Sequence, residues 1–386
     1  MPQPVPDVPD VGDADAASPT RSKVVRRRFS SRTLSLMTAL ALTVGLFAAA
    51  FLMPVPYVRM SPGPTFNTLG KFDGKPMIKI ADDTTTYPTS GNLDFTTVSV
   101  TRPESRLKLG EALMSWLSSD IAIVPHNLIY SDNQSDADSN QTGAAELSSS
   151  KDNSRAAALR AVGFTVPENA KVSDVVAKSP ADGVLEAGDV IVAVDGKKVT
   201  SMAEVGEFIR ARQPGDPVDI TYQRGKDTTT VTLKTVAADD DATHPRVGIL
   251  IATGYDFPIT IDNNVGDSIG GPSAGTMFAL AIYDQLTPGP LTGGRHFAGT
   301  GEISGDGTIG PIGGIHQKIV GARDGGAKFF LVPRSNCAEA IKTPVAGITL
   351  FSADTLVSAI RSIEALAANP NAKVPACSVR DMGPLG

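Results

Sequence analysis

The chain has 386 residues, 41% of them apolar and 20% charged, with a net charge of −6. These proportions exclude an intrinsically disordered protein and fit a folded one of two or three domains. The acidic balance, with no basic face beyond one short N-terminal cluster, excludes a nucleic-acid partner. Two cysteines and four histidines, none at metal-ligand spacing, predict no metal site. The phosphate-binding pattern G-x-x-x-x-G-K-[ST] is absent, so neither ATP nor any other cofactor is expected.

Residues 1–33 read as a disordered N-terminus rich in Pro, Asp and Ala, ending in six cationic residues between Arg21 and Arg32. "LSLMTALALTVGLFAAAFLM", residues 34–53, is uncharged over twenty residues. That is long enough for a helix to cross a hydrocarbon core of roughly 30 Å. The cationic flank keeps the N-terminus cytoplasmic and sends the rest of the chain outside. A cleaved signal peptide, cut after the alanines that precede Phe51, is the alternative; its apolar stretch would be long for that role.

"PVPYVRMSPGPTFNTLG" reads as a juxtamembrane linker, and "GKPMIKIADD" and "GNLDFTTVSVTRP" as two strands. The next stretch has helical spacing through Leu109, Leu113 and Leu117. Residues 131–154 are polar and predict a loop, with a helix entering near Ala144; residues 237–244 are a second polar break. Between them, residues 156–236 form a β-rich unit. Its turns fall at Ser179-Pro180-Ala181, Gly188-Asp189 and Asp195-Gly196, with a hairpin at Arg224-Gly225-Lys226.

"VGDSIGGPSAGTMFAL" places Ser273 behind Gly270, Gly271 and Pro272, at the predicted start of an apolar helix. A serine there is either a helix cap or a nucleophile beside free backbone N–H groups, with Gly271 and Ala274 as the oxyanion contacts. No histidine stands in a suitable acid–histidine arrangement. Lysine is the other base, provided burial keeps it neutral. Lys318 shares a predicted apolar helix face with Ile315 and Ala322, while His316 and Gln317 point elsewhere. The bland reading of Lys318 is snorkelling to solvent.

The run "AKSPADGVLEAGDVIVAVDGKKV" resembles the PDZ domains of bacterial extracytoplasmic proteases. The resemblance implies capture of an extended peptide, with Gly163, Phe164 and Thr165 as the matching loop; a ligand-free spacer is the alternative. "GGPSAG", "GTGEISGDGTIGPIGGIHQK" and "GARDGGAKFFLVP" resemble, in order and spacing, the proteolytic domain of the Lon family. That resemblance implies Ser273 as nucleophile, Lys318 as general base and Thr300 as support for the lysine amine. No ATPase module is visible, and Gly270 stands where many Lon enzymes carry an acid. With an apolar anchor, the chain resembles the ATP-independent, PDZ-containing Lon-like proteases of the YlbL type.

The expectation is therefore an α+β protein: a transmembrane helix, the N-terminal part of a peptidase domain in residues 54–155, an inserted PDZ domain, the main peptidase segment in residues 245–367 and a tail in 368–386. Its function would be a membrane-anchored serine endopeptidase. Its partners would be protein or peptide substrates, drawn from flexible envelope or single-pass membrane proteins, with homo-oligomerisation left open. A silent PDZ adaptor and a purely self-processing protein are the rivals. Cys337 and Cys377 lie outside the membrane in this reading, so they either form a disulfide or remain free thiols.

Overall fold

The computed structural model describes residues 30–131, 134–238, 241–266 and 269–378. The chain divides into two compact units, residues 1–53 and 54–386. In the first, helix α1 (Ser31–Phe51) is capped by the Ser30 hydroxyl, which accepts from the Thr33 N–H, and none of its residues is buried. It is long and apolar enough to cross a membrane. Most of the predicted disordered segment and cationic cluster lies outside the described residues.

The second unit runs through β1 (Tyr57–Asn67), β2 (Asn92–Val100), α2 (Leu109–Trp116), β3 (Ala122–Pro125), α3 (Asp136–Ala161), β4 (Glu168–Val175) and β5 (Val190–Val194). It continues with α4 (Met202–Arg210), β6 (Pro217–Arg224), β7 (Asp227–Lys234), β8 (Ile249–Tyr255), α5 (Gly275–Leu286) and β9 (His296–Gly299). It ends with α6 (Ile315–Asp324), β10 (Phe329–Pro333), α7 (Cys337–Ala340), β11 (Thr349–Ala353) and α8 (Leu356–Ala368). The architecture is α+β.

A mixed sheet ordered β11-β10-β9-β2-β1-β3 forms the larger core. Strands β2, β9, β10 and β11 are parallel; β1 is antiparallel to β2, and β3 is antiparallel to β1. Phe95, Phe297 and Phe351 of this sheet pack with Phe278 of α5, Leu159 of α3 and Ile363 of α8. A separate cluster joins Ile315 and Ile319 of α6 to Ala298, Phe330 and Val332. The proline-rich run predicted as a linker is instead the long strand β1. Pro64 falls inside the register shift between Pro62 and Thr65, where no ladder N–H is required of it, and Pro62 stands at the edge of that shift.

The second sheet, ordered β7-β6-β5-β4-β8, encloses Val172, Ile191, Val194, Val205, Ile220 and Leu233. Its hairpin turns at Gly225 and Lys226, with Arg224 opposite Asp227. The structure draws this unit's limits elsewhere than at 156 and 236. Ala156 to Leu159 end α3 inside the larger core, and β8, expected in the peptidase segment, is paired with β4.

The predicted polar loop at 131–154 is also different: α3 starts at Asp136, with Ser135 and Asp138 exchanging the two hydrogen bonds of a capping box. Few of its residues are large and apolar, because it packs through small ones. Ser150, Ser154 and Ala156 to Ala158 are all buried.

Cys337 is buried at the start of α7 and is disulfide-bonded to Cys377, with Cα atoms 4.9 Å apart. The tail is further held by the Ser352 N–H, which donates to the Pro375 carbonyl at 2.8 Å. The bridge spans 40 residues, for which loop-closure entropy gives about 4 kcal/mol. The purified, unreduced chain should therefore show no reactive thiol after unfolding, and C337A/C377A should lose stability on that order in denaturant titration. Two thiols per unreduced chain would contradict the bridge.

Candidate active site

Ser273 lies in the turn just before α5, not in the helix as predicted: the helix starts at Gly275 with Ala274 as its cap residue. Gly271 has φ +90, a left-handed conformation that a side chain would strain. Helix α3 holds this turn from the other side. The Gly271 N–H donates to the Gly143 carbonyl at 2.9 Å, and the Ser150 hydroxyl donates to the Pro272 carbonyl at 2.9 Å. A Cβ on Gly270 would lie 3.2 Å from the Gly143 Cα, so the pair of glycines lets the turn sit directly on the helix. Of the two backbone groups expected as oxyanion donors, Gly271 is thus already committed. The Ala274 N–H shows no partner among the described residues.

Lys318 is 4% exposed on α6. Its Nζ donates to the Thr96 carbonyl at 2.9 Å and lies 2.9 Å from the Ser273 Oγ. The amine points inward, not along the helix to water. Burial pulls it down to about 8 from its ordinary value of 10.5. Among the described residues no carboxylate pairs with it; its partners there are a carbonyl and a hydroxyl, which suit a neutral amine as well as an ammonium.

Close backbone packing sets the position of Lys318. A Cβ on Gly321 would lie 2.8 Å from the Gly63 carbonyl oxygen, so α6 rests directly on β1. Gln317 and His316, predicted to point elsewhere, are buried and nearly buried; both His316 ring nitrogens lack hydrogen-bond partners among the described residues, and Asp120 is 4.0 Å away.

Thr300 does not reach the amine through the hydrogen bond expected of it. Its hydroxyl donates to the Ser273 carbonyl at 3.0 Å, which the Gly301 N–H also contacts at 2.8 Å. Thr300 therefore fixes the serine backbone, and the Thr96 carbonyl holds the lysine. Thr96, Gly143 and Ser150 were invisible in the motif reading. Two of these three act through the backbone, which leaves no residue-type signal.

A cavity of about 650 Å³ opens over Ser273 and Lys318. One wall is the second half of β2: Val98 to Val100 pair with β1, Thr97 falls at the register shift, and the parallel partner β9 reaches only as far as Phe95. That half-strand presents an open edge to the cavity. Glu302 also lines it, its carboxyl pushed up by burial and by Glu146.

Gly163, Phe164 and Thr165 are not beside an open strand. They close the end of α3, with the Phe164 N–H donating to the Leu159 carbonyl at 2.9 Å. Of the two edges of the second sheet, β7 and β8, the one beside α4 is β8, which pairs only with β4 among the described residues. Its Leu250 is 54% exposed.

Residues 145–235 match the PDZ domain family, and residues 267–349 match the C-terminal proteolytic domain of Lon proteases. Lon protease 2 of Bacillus subtilis (strain 168) is 28% identical over 180 residues, covering 45% of this chain and 32% of that protein. Lon protease of Vibrio parahaemolyticus is 42% identical over 66 residues, 17% of this chain and 8% of that protein. The chain thus spans less than a third of the length of these curated relatives. The PDZ domain of an SdrC-like protein from Listeria monocytogenes is 33% identical; the likeness covers 22% of this chain and 87% of that one, at a TM-score of 0.21.

The lowered amine has a measurable consequence for stability. Between pH 10.5 and about 8 the unfolded chain takes up a proton at Lys318 that the folded chain does not. Stability therefore falls as pH falls through that window, by about 3 kcal/mol from this group. Denaturant titrations of wild type and K318M should diverge across it, with the wild type losing more on acidification. Parallel curves would show that the amine titrates normally.

Proposed function

We propose that this Lon-like peptidase, which joins a PDZ domain to a Lon-type proteolytic domain, is a membrane-anchored, ATP-independent serine endopeptidase working through a Ser273–Lys318 dyad. The observation that carries the reading is the buried amine 2.9 Å from the serine hydroxyl. A neutral Lys318 takes the Ser273 proton as Oγ attacks the peptide carbonyl. The Ala274 N–H at the start of α5 stabilises the oxyanion. Lys318 then returns the proton to the leaving amine, and a water repeats the sequence to release the acyl group. An extended substrate runs along the open edge of β2 from Thr97 to Val100, which aligns its scissile bond over Ser273.

The apolar helix, with cations before it, supports an anchor that leaves the catalytic and PDZ domains outside the cytoplasmic membrane. The PDZ domain takes a peptide along β8 beside α4. Substrates would be flexible segments of envelope or single-pass membrane proteins, because a chain working without an unfoldase reaches only loose ones.

S273A and K318A should each reduce cleavage of an unfolded protein by about 10³-fold or more with folding intact, and the double variant should be no worse than either single one. Full activity in K318A would move the base to another residue. Substrate capture with no cleavage by the wild type would make the protein an adaptor.

A further inference from the structure

Helix α2 is inside out for a helix on the surface of a protein in water. Its small residues Gly110, Ala112 and Ser115 are buried. Its large apolar residues face outward: Leu113 is 46% exposed, Met114 64%, Trp116 78% and the following Leu117 80%. Spacings of three and four residues put these side chains on one face. The sequence shows helical spacing through Leu109, Leu113 and Leu117; the small residues take the inward side because α2 packs closely on β3 and β1. A contiguous apolar face of this kind marks an interaction surface.

Chain connectivity says what covers it. Pro54 and Val55 pair antiparallel with Lys108 and Leu107. Pro54 directly follows Met53, the last residue of the apolar segment, and Lys108 directly precedes α2. The first residue after the apolar segment is therefore the strand partner of the residue that opens α2. If the apolar segment ends at a membrane surface, α2 begins at that surface.

Composition agrees with this. Arg106 and Lys108 are exposed beside the helix, where they meet anionic headgroups. A tryptophan amid leucine and methionine suits the interfacial zone, where its ring lies in apolar surroundings and its N–H meets polar ones. Glu111, the one acid on the helix, accepts from the Lys108 N–H at 3.2 Å and so is tied to the helix start.

We infer that α2 is an interfacial helix, with Leu113, Met114, Trp116 and Leu117 dipping into the outer headgroup and acyl boundary of a membrane containing anionic phospholipid. The inference rests on α1 being a membrane anchor. It adds a second attachment, so that the proteolytic domain does not swing freely on its linker. Arg102 in the cavity wall is followed within a few residues by α2, so the docking holds the substrate cleft close to the membrane.

Trp116 is the single tryptophan of the chain, so its fluorescence reports this face alone. The full chain is reconstituted in vesicles of phosphatidylglycerol and phosphatidylcholine. Trp116 is then exposed to lipid carrying a nitroxide near the headgroup and, separately, to aqueous iodide. The expected result is strong quenching by the lipid nitroxide and little by iodide, reversed in L113E/L117E. Quenching by iodide alone in the wild type, or protection from both quenchers by a covering protein or second copy, overturns the inference. A parallel carbonate wash separates the two readings. Retention of the chain with Trp116 in water leaves the anchor standing and removes the interfacial helix; release of the chain removes both.

Discussion

A lysine amine buried with no counter-charge among the described residues is the constraint on which the site depends. Burial of Lys318 is costly in the charged state and tolerable in the neutral one, so the fold favours the form that can accept a proton. What keeps the amine inward is close packing. Gly321 against Gly63 brings α6 onto β1, and the Thr96 carbonyl meets Nζ at the end of its reach. Helix α3 does the same for the serine, through Gly143 and Ser150 on the turn before Ser273. Strands β1 and β2 and helices α3 and α6 together therefore set one 2.9 Å contact.

The second sheet has its own order of strands. Its edge strand β8 comes last in the sequence of that sheet yet lies beside β4, the first. The chain thus leaves the larger core after α3, completes the β-rich unit with β8, and returns to make α5. A peptide on β8 would lie on a segment that leads within twenty residues to the Ser273 turn. The Ser273 turn therefore follows β8 closely in the chain.

Ser273 and Lys318 were legible because each breaks a local pattern: a serine behind glycines and proline, and a cation on an apolar helix face. The strands of the β-rich unit were legible through their turns, as at Asp195-Gly196, where both residues take positive φ. Helix α3 was not, since it packs through serine and alanine and leaves little hydrophobic periodicity to read; its Ser135–Asp138 cap was the available signal. Strand β1 was hidden by prolines that a register shift accommodates. The Thr96 contact spans 222 positions and uses a carbonyl that every residue has, so only the fold could supply it. The loop at Gly163 to Thr165 reads as a strand entry in the sequence but closes α3 in the fold, because the strand beside β4 is β8, which comes after the polar break.

The central claim is that the amine held against Ser273 is the base of the reaction. It is tested most directly by the pH dependence of acylation at Ser273, followed in single turnover with an ester substrate whose own chemistry does not titrate. The account predicts a rate that rises with pH and levels off with an apparent pKa near 8, the value to which burial brings Lys318, and a residual rate without that limb in K318M. An acylation rate with the same pH dependence in wild type and K318M would contradict it.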